Sequence, residues 1–386
     1  MERESKKRVV IDIYCLLIAD TGIRKYLEGL IQLIQKNERE EFEYVFLPSL
    51  HKVEQTNNFR KKTFILFRVF SQLETFLWKQ VYIPYKLWKL KADLAFFPDY
   101  YAPALKLSTY KLVMYHDTFF WDEPAHYGKW WLMYFKWITR LGLNGRSGVL
   151  TISYHVKNNL YRVLRDKVKV DVIHHPAQNE VVQFNDDVFK EFGLVCKKYF
   201  LHVGVFEKRK ELPVLVEAFS KFLKKVKNPY EYKLVLVGRK APNKRFDDYN
   251  EIVGLIGRLG LEESVVLPGY LSNEEVALLY LHAWSYVFPS RNEGFGIPVL
   301  EAFSAECPLI ISNQPALMEV AGGAALVFDV GNAEDLSSKM LGLSDKRRLG
   351  LVELGKSRLS CFKREDYLPK LESIFSNALN GNDARN

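Results

Sequence analysis

A chain of 386 residues, 48% apolar and 26% charged, is long enough for two ordinary domains, because single hydrophobic cores stop growing near roughly 250–300 residues. That composition excludes a disordered or collagen-like chain, and no run approaches the ~18 apolar residues of a membrane-spanning helix. The net charge of +9 is uneven: residues 1–178 hold 28 Lys/Arg against 18 Asp/Glu, and residues 179–386 hold 27 against 28.

The chain opens on MERESKKRVVIDIYCLLIAD, whose apolar stretch is interrupted by Asp12 and followed by no small-residue cleavage site. It reads as a first β-strand rather than a signal peptide. Short apolar runs follow at YVFLP, ADLAFFP, KLVMYHD and GVLTIS, each trailed by a longer polar–apolar stretch. The polar, non-periodic HHPAQNEVVQFNDD then marks a hinge around 176–197. The second half repeats the pattern at KYFLHVG, YKLVLVG, SVVLPG, SYVFPS and PLIIS, and ends on REDYLPKLESIFSNALNG, an amphipathic helix. Continuous apolar strands between helices indicate parallel sheets covered on both faces. The expectation is an α/β chain of two doubly wound, Rossmann-like domains. These are an N-terminal domain over 1–178, a linker over 179–196, a second domain over 197–364, and a C-terminal helix and tail over 365–386 packing back on the first. Cys15, Cys196, Cys307 and Cys361 form no C-x-x-C pair and are expected as buried reduced thiols.

Ligands of open parallel sheets bind beyond the carboxyl ends of the strands, so polar residues there carry the most information. The richest stretch is YVFPSRNEGFGIPVLEAFSAECPLIIS. A strand ends near Ser290, a glycine turn follows, and a helix begins near Ile297 or Pro298, with proline at a position that wastes no donor. Gly294 and Gly296 let backbone approach a ligand, and the helix start offers free N–H groups. Glu293 and Glu301, eight positions apart, can point into one crevice. Upstream, VGVFEKRKELP sets Arg209 and Lys210 where a strand gives way to a helix. Cations oppose the dipole at a helix start, so an anionic ligand would explain them. An isolated glutamate pair or a K-R-K run is more often solvated surface, and a lone T-G-I turn around Gly22 or a strand-end His116 is weak evidence by itself.

Taken together, SRNEGFGIPVLEAFSAECPLIISNQPALMEVAGGAALVFD resembles the donor-binding segment of retaining glycosyltransferases of family 4 (glycosyl transferases group 1), which have the GT-B fold of two Rossmann-like domains facing a central cleft. The resemblance extends through LHVGVFEKRKELPVLVEAF, LVLVGRK and LPGYLSNEEVALLYLHAWSYVFPS, and more weakly through TGIRKY, MYHDTFF and TISYHV. It implies a catalytic role for Glu293 at the donor sugar and ribose binding by Glu301. The backbone of Gly294, Phe295 and Gly296 would lie against the sugar, with Arg209 and Lys210 on the diphosphate, a glycine loop at Gly22, and a sugar contact from His116. Asp117 is expected to orient its loop or His116, and Ser153 to cap a helix. The chain departs from the pattern at His174 and His175 (usually Asn-Gly), Glu211 (usually Asn), Glu306 (usually Gly) and Met318 (usually Pro).

The expected activity is therefore retaining, metal-independent hexosyl transfer from a nucleotide sugar to an acceptor hydroxyl, without a cofactor, in bacterial-type surface polysaccharide, lipopolysaccharide or glycolipid synthesis. Mannose is a first guess for the sugar. Residues 59–91 hold eight Lys/Arg, one Glu and nine aromatics, and 119–137 is again aromatic-rich. Such surfaces suit anionic bilayers, which suggests a cytoplasmic protein on the inner membrane face with a glycan or lipid-linked acceptor. The alternative is that these aromatics are core. A nucleotide-sugar epimerase, a phosphorylase and an inactive sugar-nucleotide-binding subunit are the rivals within the fold. A nucleic-acid binder is disfavoured, because no such module is visible.

Overall fold

The computed structural model describes residues 6–18, 22–37, 41–60, 73–164, 168–177 and 187–383. Residues 179–186 of the expected linker and 61–72 of the basic aromatic segment lie outside them. The chain divides into two compact units, Met1–His175 with Glu365–Asn386, and Pro176–Arg364.

Unit 1 carries strands β1 (Lys7–Asp12), β2 (Phe42–Leu47), β3 (Leu94–Phe97), β4 (Tyr110–Tyr115), β5 (Ser147–Thr151) and β6 (Val170–Val172). They pair in parallel in the order β2-β1-β3-β4-β5-β6. Its helices include α1 (Gly22–Lys36), α2 (Leu50–Arg60), α3 (Ile83–Leu90), α4 (Lys129–Gly142) and α5 (Tyr154–Leu164). Unit 2 carries β7 (Tyr199–Val203), β8 (Lys233–Val237), β9 (Val265–Gly269), β10 (Ser285–Phe288), β11 (Leu309–Ser312) and β12 (Leu326–Phe328), ordered β12-β11-β10-β7-β8-β9. Its helices include α6 (Leu212–Leu223), α7 (Tyr249–Leu259), α8 (Asn273–His282), α9 (Ile297–Ser304), α10 (Pro315–Ala321), α11 (Ala333–Leu341) and α12 (Asp345–Leu359). The last helix, α13 (Tyr367–Asp383), belongs to unit 1.

Each sheet is sandwiched between helices, which is why its strands read as unbroken apolar runs. Every residue of β3, β4, β10 and β11 is buried. In unit 2, Phe200, Leu234, Val287 and Ile310 pack in one cluster with Leu215, Phe219, Ile252 and Leu336 from the flanking helices. The C-terminal helix returns to unit 1 through Phe375, whose ring lies 6.0 Å from Phe42 and 5.8 Å from Phe96. Tyr44 donates to Glu372 at 2.8 Å, and the Tyr367 and Tyr26 hydroxyls bond at 2.9 Å.

Two expectations need correction. VVIDIYCLLI is not one strand: β1 stops at Asp12 and a 3₁₀ turn covers Tyr14–Leu17. The Asp12 carboxylate accepts the Tyr14 N–H at 3.0 Å, a local bond that competes with the strand ladder. The cysteines are all free, but only Cys15 and Cys307 are buried, whereas Cys196 and Cys361 are exposed.

Candidate active site

In unit 2 the order of strands reverses between β7 and β10, neighbours that send their connections to opposite sides of the sheet. Their carboxyl ends therefore open the crevice where doubly wound sheets take ligands. β7 runs into a 3₁₀ turn over Lys208–Lys210, and β10 runs into the Ser290–Gly296 turn ahead of α9. These loops bring Arg209, Lys210 and Glu293 together. Lys210 Nζ donates to Glu293 Oε1 at 2.6 Å, and Arg209 Nη1 donates to the same oxygen at 2.8 Å. Arg209 is fixed further by Glu207 Oε2 at 2.7 Å and the Asn292 carbonyl at 3.1 Å, and Lys210 Nζ lies 4.7 Å from the centroid of the Phe288 ring. Both Lys210 and Glu293 are buried. Burial alone would raise the Glu293 carboxyl, but Arg209 and Lys210 outweigh it and hold it near about 2. Burial lowers Lys210, against the pull of Glu293. The site thus gathers the Arg209 guanidinium and the Lys210 amine on one carboxylate oxygen.

The turn is held from below. Gln314 caps α10 through the Leu317 N–H at 2.9 Å and donates to the Glu293 carbonyl at 3.1 Å. Gly296 has φ +98°, and a Cβ there would meet Leu317 Cδ2 at 2.6 Å, so any other residue would strain the backbone and have to displace Leu317. Gly294 and Phe295 are buried in the same turn, and Pro298 follows at the start of α9. Glu301, one turn into α9, is partly buried and accepts the Tyr280 hydroxyl at 3.2 Å.

Beneath the crevice, His202 on β7 is fully buried. Burial and the nearby Lys210 push its imidazole down to about 3, so it is neutral. Its Nδ1 donates to the Val287 carbonyl at 2.9 Å. Nothing in the pattern LHVG singled it out.

In unit 1, Gly22 begins α1 at an exposed position, and a Cβ there would meet no heavy atom within 4 Å. Packing therefore does not demand this glycine. His116 follows β4; its Nε2 donates to the Pro98 carbonyl at 2.8 Å, which fixes the neutral tautomer. Burial lowers it to about 4. Asp117 orients its loop, accepting the Tyr100 hydroxyl at 2.8 Å and the Phe119 N–H at 3.1 Å, while Ser153 Oγ accepts the Val156 N–H in the first turn of α5. Tyr100 itself sits at φ +68°, a strained conformation beside His116. The imidazole of His175, one of the departures from Asn-Gly, stacks on His116 with centroids 5.7 Å apart and planes 10° apart. Burial, with His116 and His174 beside it, pushes His175 down to about 3.

The strand order of unit 1 reverses between β1 and β3. There the crevice is occupied by the protein's own charges: Lys79 Nζ bonds Asp12 Oδ2 at 2.7 Å and Asp99 Oδ1 at 2.5 Å. Lys79 is fully buried, and Trp78 Nε1 donates to the other Asp12 oxygen at 3.1 Å. Sequence periodicity carried no sign of this triad.

Residues 185–353 match the model of the family described as glycosyl transferases group 1. The chain is 26% identical over 251 residues to the Escherichia coli O-antigen chain mannosyltransferase B, covering 63% of each chain. It is 28% identical over 197 residues to the Salmonella typhimurium O-antigen chain mannosyltransferase RfbU, covering 50% of each. The match thus spans between half and two thirds of these relatives' lengths. Among solved structures, sucrose-phosphate synthase from Thermosynechococcus elongatus superposes with a TM-score of 0.72 at 16% identity, over 98% of this chain and 100% of that one. Anabaena HepE in complex with UDP and glucose does so with a TM-score of 0.68 at 14% identity, over 96% and 100%. The fold is that of GT-B glycosyltransferases, with two Rossmann-like domains. Over residues 185–353, a little under half of its length, the chain is similar to the glycosyl transferases group 1 family.

Proposed function

We propose that this chain is a retaining glycosyltransferase that moves a hexose, mannose in the first instance, from a nucleotide sugar to an acceptor hydroxyl. The observation that carries the reading is the convergence of Arg209 and Lys210 on Glu293 at the switch point of unit 2. Two fixed cations there suit a nucleoside diphosphate, and the relatives named as O-antigen mannosyltransferases support both the sugar and a role in bacterial surface polysaccharide or lipopolysaccharide synthesis.

In the proposed reaction the bond from the anomeric carbon to the diphosphate oxygen breaks with oxocarbenium character. Arg209 and Lys210 stabilise the negative charge that grows on the departing diphosphate, preorganised and largely out of water. The acceptor hydroxyl attacks the same face, and its proton passes to the leaving phosphate oxygen. Glu293 sets the position of both cations and faces the donor sugar. Glu301, steadied by Tyr280, accepts the vicinal ribose hydroxyls, and the Gly294–Gly296 backbone lies against the sugar. Gly22 and His116 are the residues of unit 1 proposed to reach the donor. The cations take the place of a metal ion, so activity should survive EDTA. The acceptor is a glycan or lipid-linked saccharide at the cytoplasmic face of a membrane.

The test is to incubate the purified chain with GDP-mannose and, separately, UDP- and ADP-hexoses, using a lipid-linked saccharide acceptor. Proton NMR of the product should show the anomeric configuration of the donor. An inverted product, or a released free epimer, would overturn the reading.

A further inference from the structure

Helix α4 is apolar on two sides. Leu132, Phe135 and Ile138 are buried in unit 1. On the opposite side, Trp130, Met133, Trp137 and Leu141 form one stripe at steps of three, four and four, with Trp130 79% and Trp137 60% exposed. A surface helix ordinarily turns polar residues outward, and large exposed apolar patches mark contact surfaces. The helical stretch 73–90, which includes the π turn Trp78–Tyr82 and α3, behaves the same way. Leu73, Leu77, Val81, Tyr85 and Trp88 recur along it every three or four residues, and Trp88 is 76% exposed. The Phe76 and Tyr134 rings, 6.4 Å apart, join the two elements.

The charge on these two elements is predominantly positive. Lys86, Lys89, Lys129, Lys136 and Arg140 lie on the two elements, with Glu74 their only exposed acid. We propose that this face of unit 1 docks in the interface of an anionic bilayer, inserting the Trp130, Met133 and Trp137 side chains among the acyl chains while the lysines and arginine hold the headgroups. Tryptophan and methionine rimmed by cations match that boundary, where indole is stable at headgroup depth and each cation adds attraction to anionic lipid. Among the described residues no helix is long and apolar enough to cross a membrane, so binding would be shallow and reversible. This deepens the proposed membrane-borne acceptor and rests on it only for its purpose, not for its physical argument.

The test uses the full chain and vesicles of phosphatidylethanolamine with phosphatidylglycerol, compared with pure phosphatidylcholine. Co-sedimentation should show at least about tenfold tighter binding to the anionic vesicles, with a blue shift of tryptophan emission. A Trp130→Ser/Trp137→Ser variant should lose that binding at an unchanged thermal midpoint. A Lys129→Gln/Lys136→Gln/Arg140→Gln variant should lose it by roughly fivefold per cation removed. Both variants should keep wild-type nucleoside diphosphate binding by thermal shift, which separates failure of the membrane face from failure of the glycosyl-transfer reading. Equal binding to both lipids, wild-type vesicle binding by the tryptophan variant, or a fall in oligomeric mass caused by that variant would overturn the proposal. The last result would assign the face to a second copy of the chain.

Discussion

Lys210 and Glu293 meet at 2.6 Å across the ends of β7 and β10, with Arg209 on the same carboxylate oxygen. Glu293 thus supplies the negative charge that the proposed donor diphosphate would otherwise bring. In Glu293→Ala, two cations are left facing each other in a buried site, and unit 2 should lose about 3 kcal/mol of stability. A nucleoside diphosphate should then raise the thermal midpoint of Glu293→Ala by more than it raises that of the wild type, because the ligand restores the missing charge. Equal or smaller shifts in the variant would show that the cations do not face the diphosphate.

Lys210→Ala removes the buried cation and leaves Arg209 with the carboxylate. Turnover of the donor should fall by about 10²–10³, the usual loss of one preorganised charge on a developing anion. Steady-state rates within tenfold of wild type would exclude Lys210 from leaving-group stabilisation.

Two departures from the family pattern have a common physical cause. Glu211 has φ +52° and Glu306 φ +51°, the left-handed region that asparagine and glycine tolerate and other residues occupy at a cost of roughly 1–2 kcal/mol. Each is paired only at the surface, Glu211 with Arg291 at 3.0 Å and Glu306 with Lys356 at 3.1 Å, contacts of little net value. Glu306→Gly should therefore stabilise the protein by about 0.5–1 kcal/mol, after the extra entropy of an unfolded glycine is subtracted. Denaturant titration showing a lower midpoint would contradict this.

Burial keeps His116 and His175 neutral, with pKa values near about 4 and 3. Between pH 6.5 and 4 the unfolded chain takes up protons at both positions and the folded chain does not, so their contribution to stability is present above 6.5 and lost as pH falls. His175→Phe, which keeps an aromatic ring beside Tyr26, should flatten the stability profile in that window by up to about 1.4 kcal/mol per pH unit relative to wild type. Parallel profiles would mean that His175 titrates alike in both states.

What the sequence revealed was what is local. The turn and helix from Glu293 to Glu301 were legible because Gly296, Pro298 and the carboxylates lie within nine residues, and the backbone there needs those residue types. Strand number followed from apolar runs that parallel packing imposes. Lys79, by contrast, meets Asp12 and Asp99 only after β1 and β3 become neighbours, and a lysine in a basic, aromatic stretch reads as surface. Composition likewise could not sort the aromatics: Trp78 stacks on Tyr14 at 4.9 Å, whereas Trp88, Trp130 and Trp137 face outward. Glu211 and Glu306 were legible as departures, but their cost appeared only with their dihedral angles.

The Lys79 triad sets two carboxylates on one ammonium. Burial and the Asp12 charge outweigh the pull of Lys79 and push Asp99 up to about 7. An acid held above its unfolded value binds a proton in the folded chain that the unfolded chain has released. Asp99 therefore contributes stability at low pH that is lost as pH rises from about 4 towards 7, opposite in sign to the histidines. Asp99→Asn keeps an acceptor for Lys79, leaves Asp12 as its counter-ion, and removes the excess carboxylate. The difference in stability between this variant and wild type should move in the variant's favour as pH rises from 5 to 8, by up to about 1.4 kcal/mol per pH unit. Lys79→Ala, which strands both carboxylates in the β1–β3 crevice, should instead cost on the order of 3–5 kcal/mol at neutral pH. Urea unfolding at pH 5 and pH 8 checks both, and a pH-independent difference for Asp99→Asn would show that Asp99 stays ionised beside Lys79.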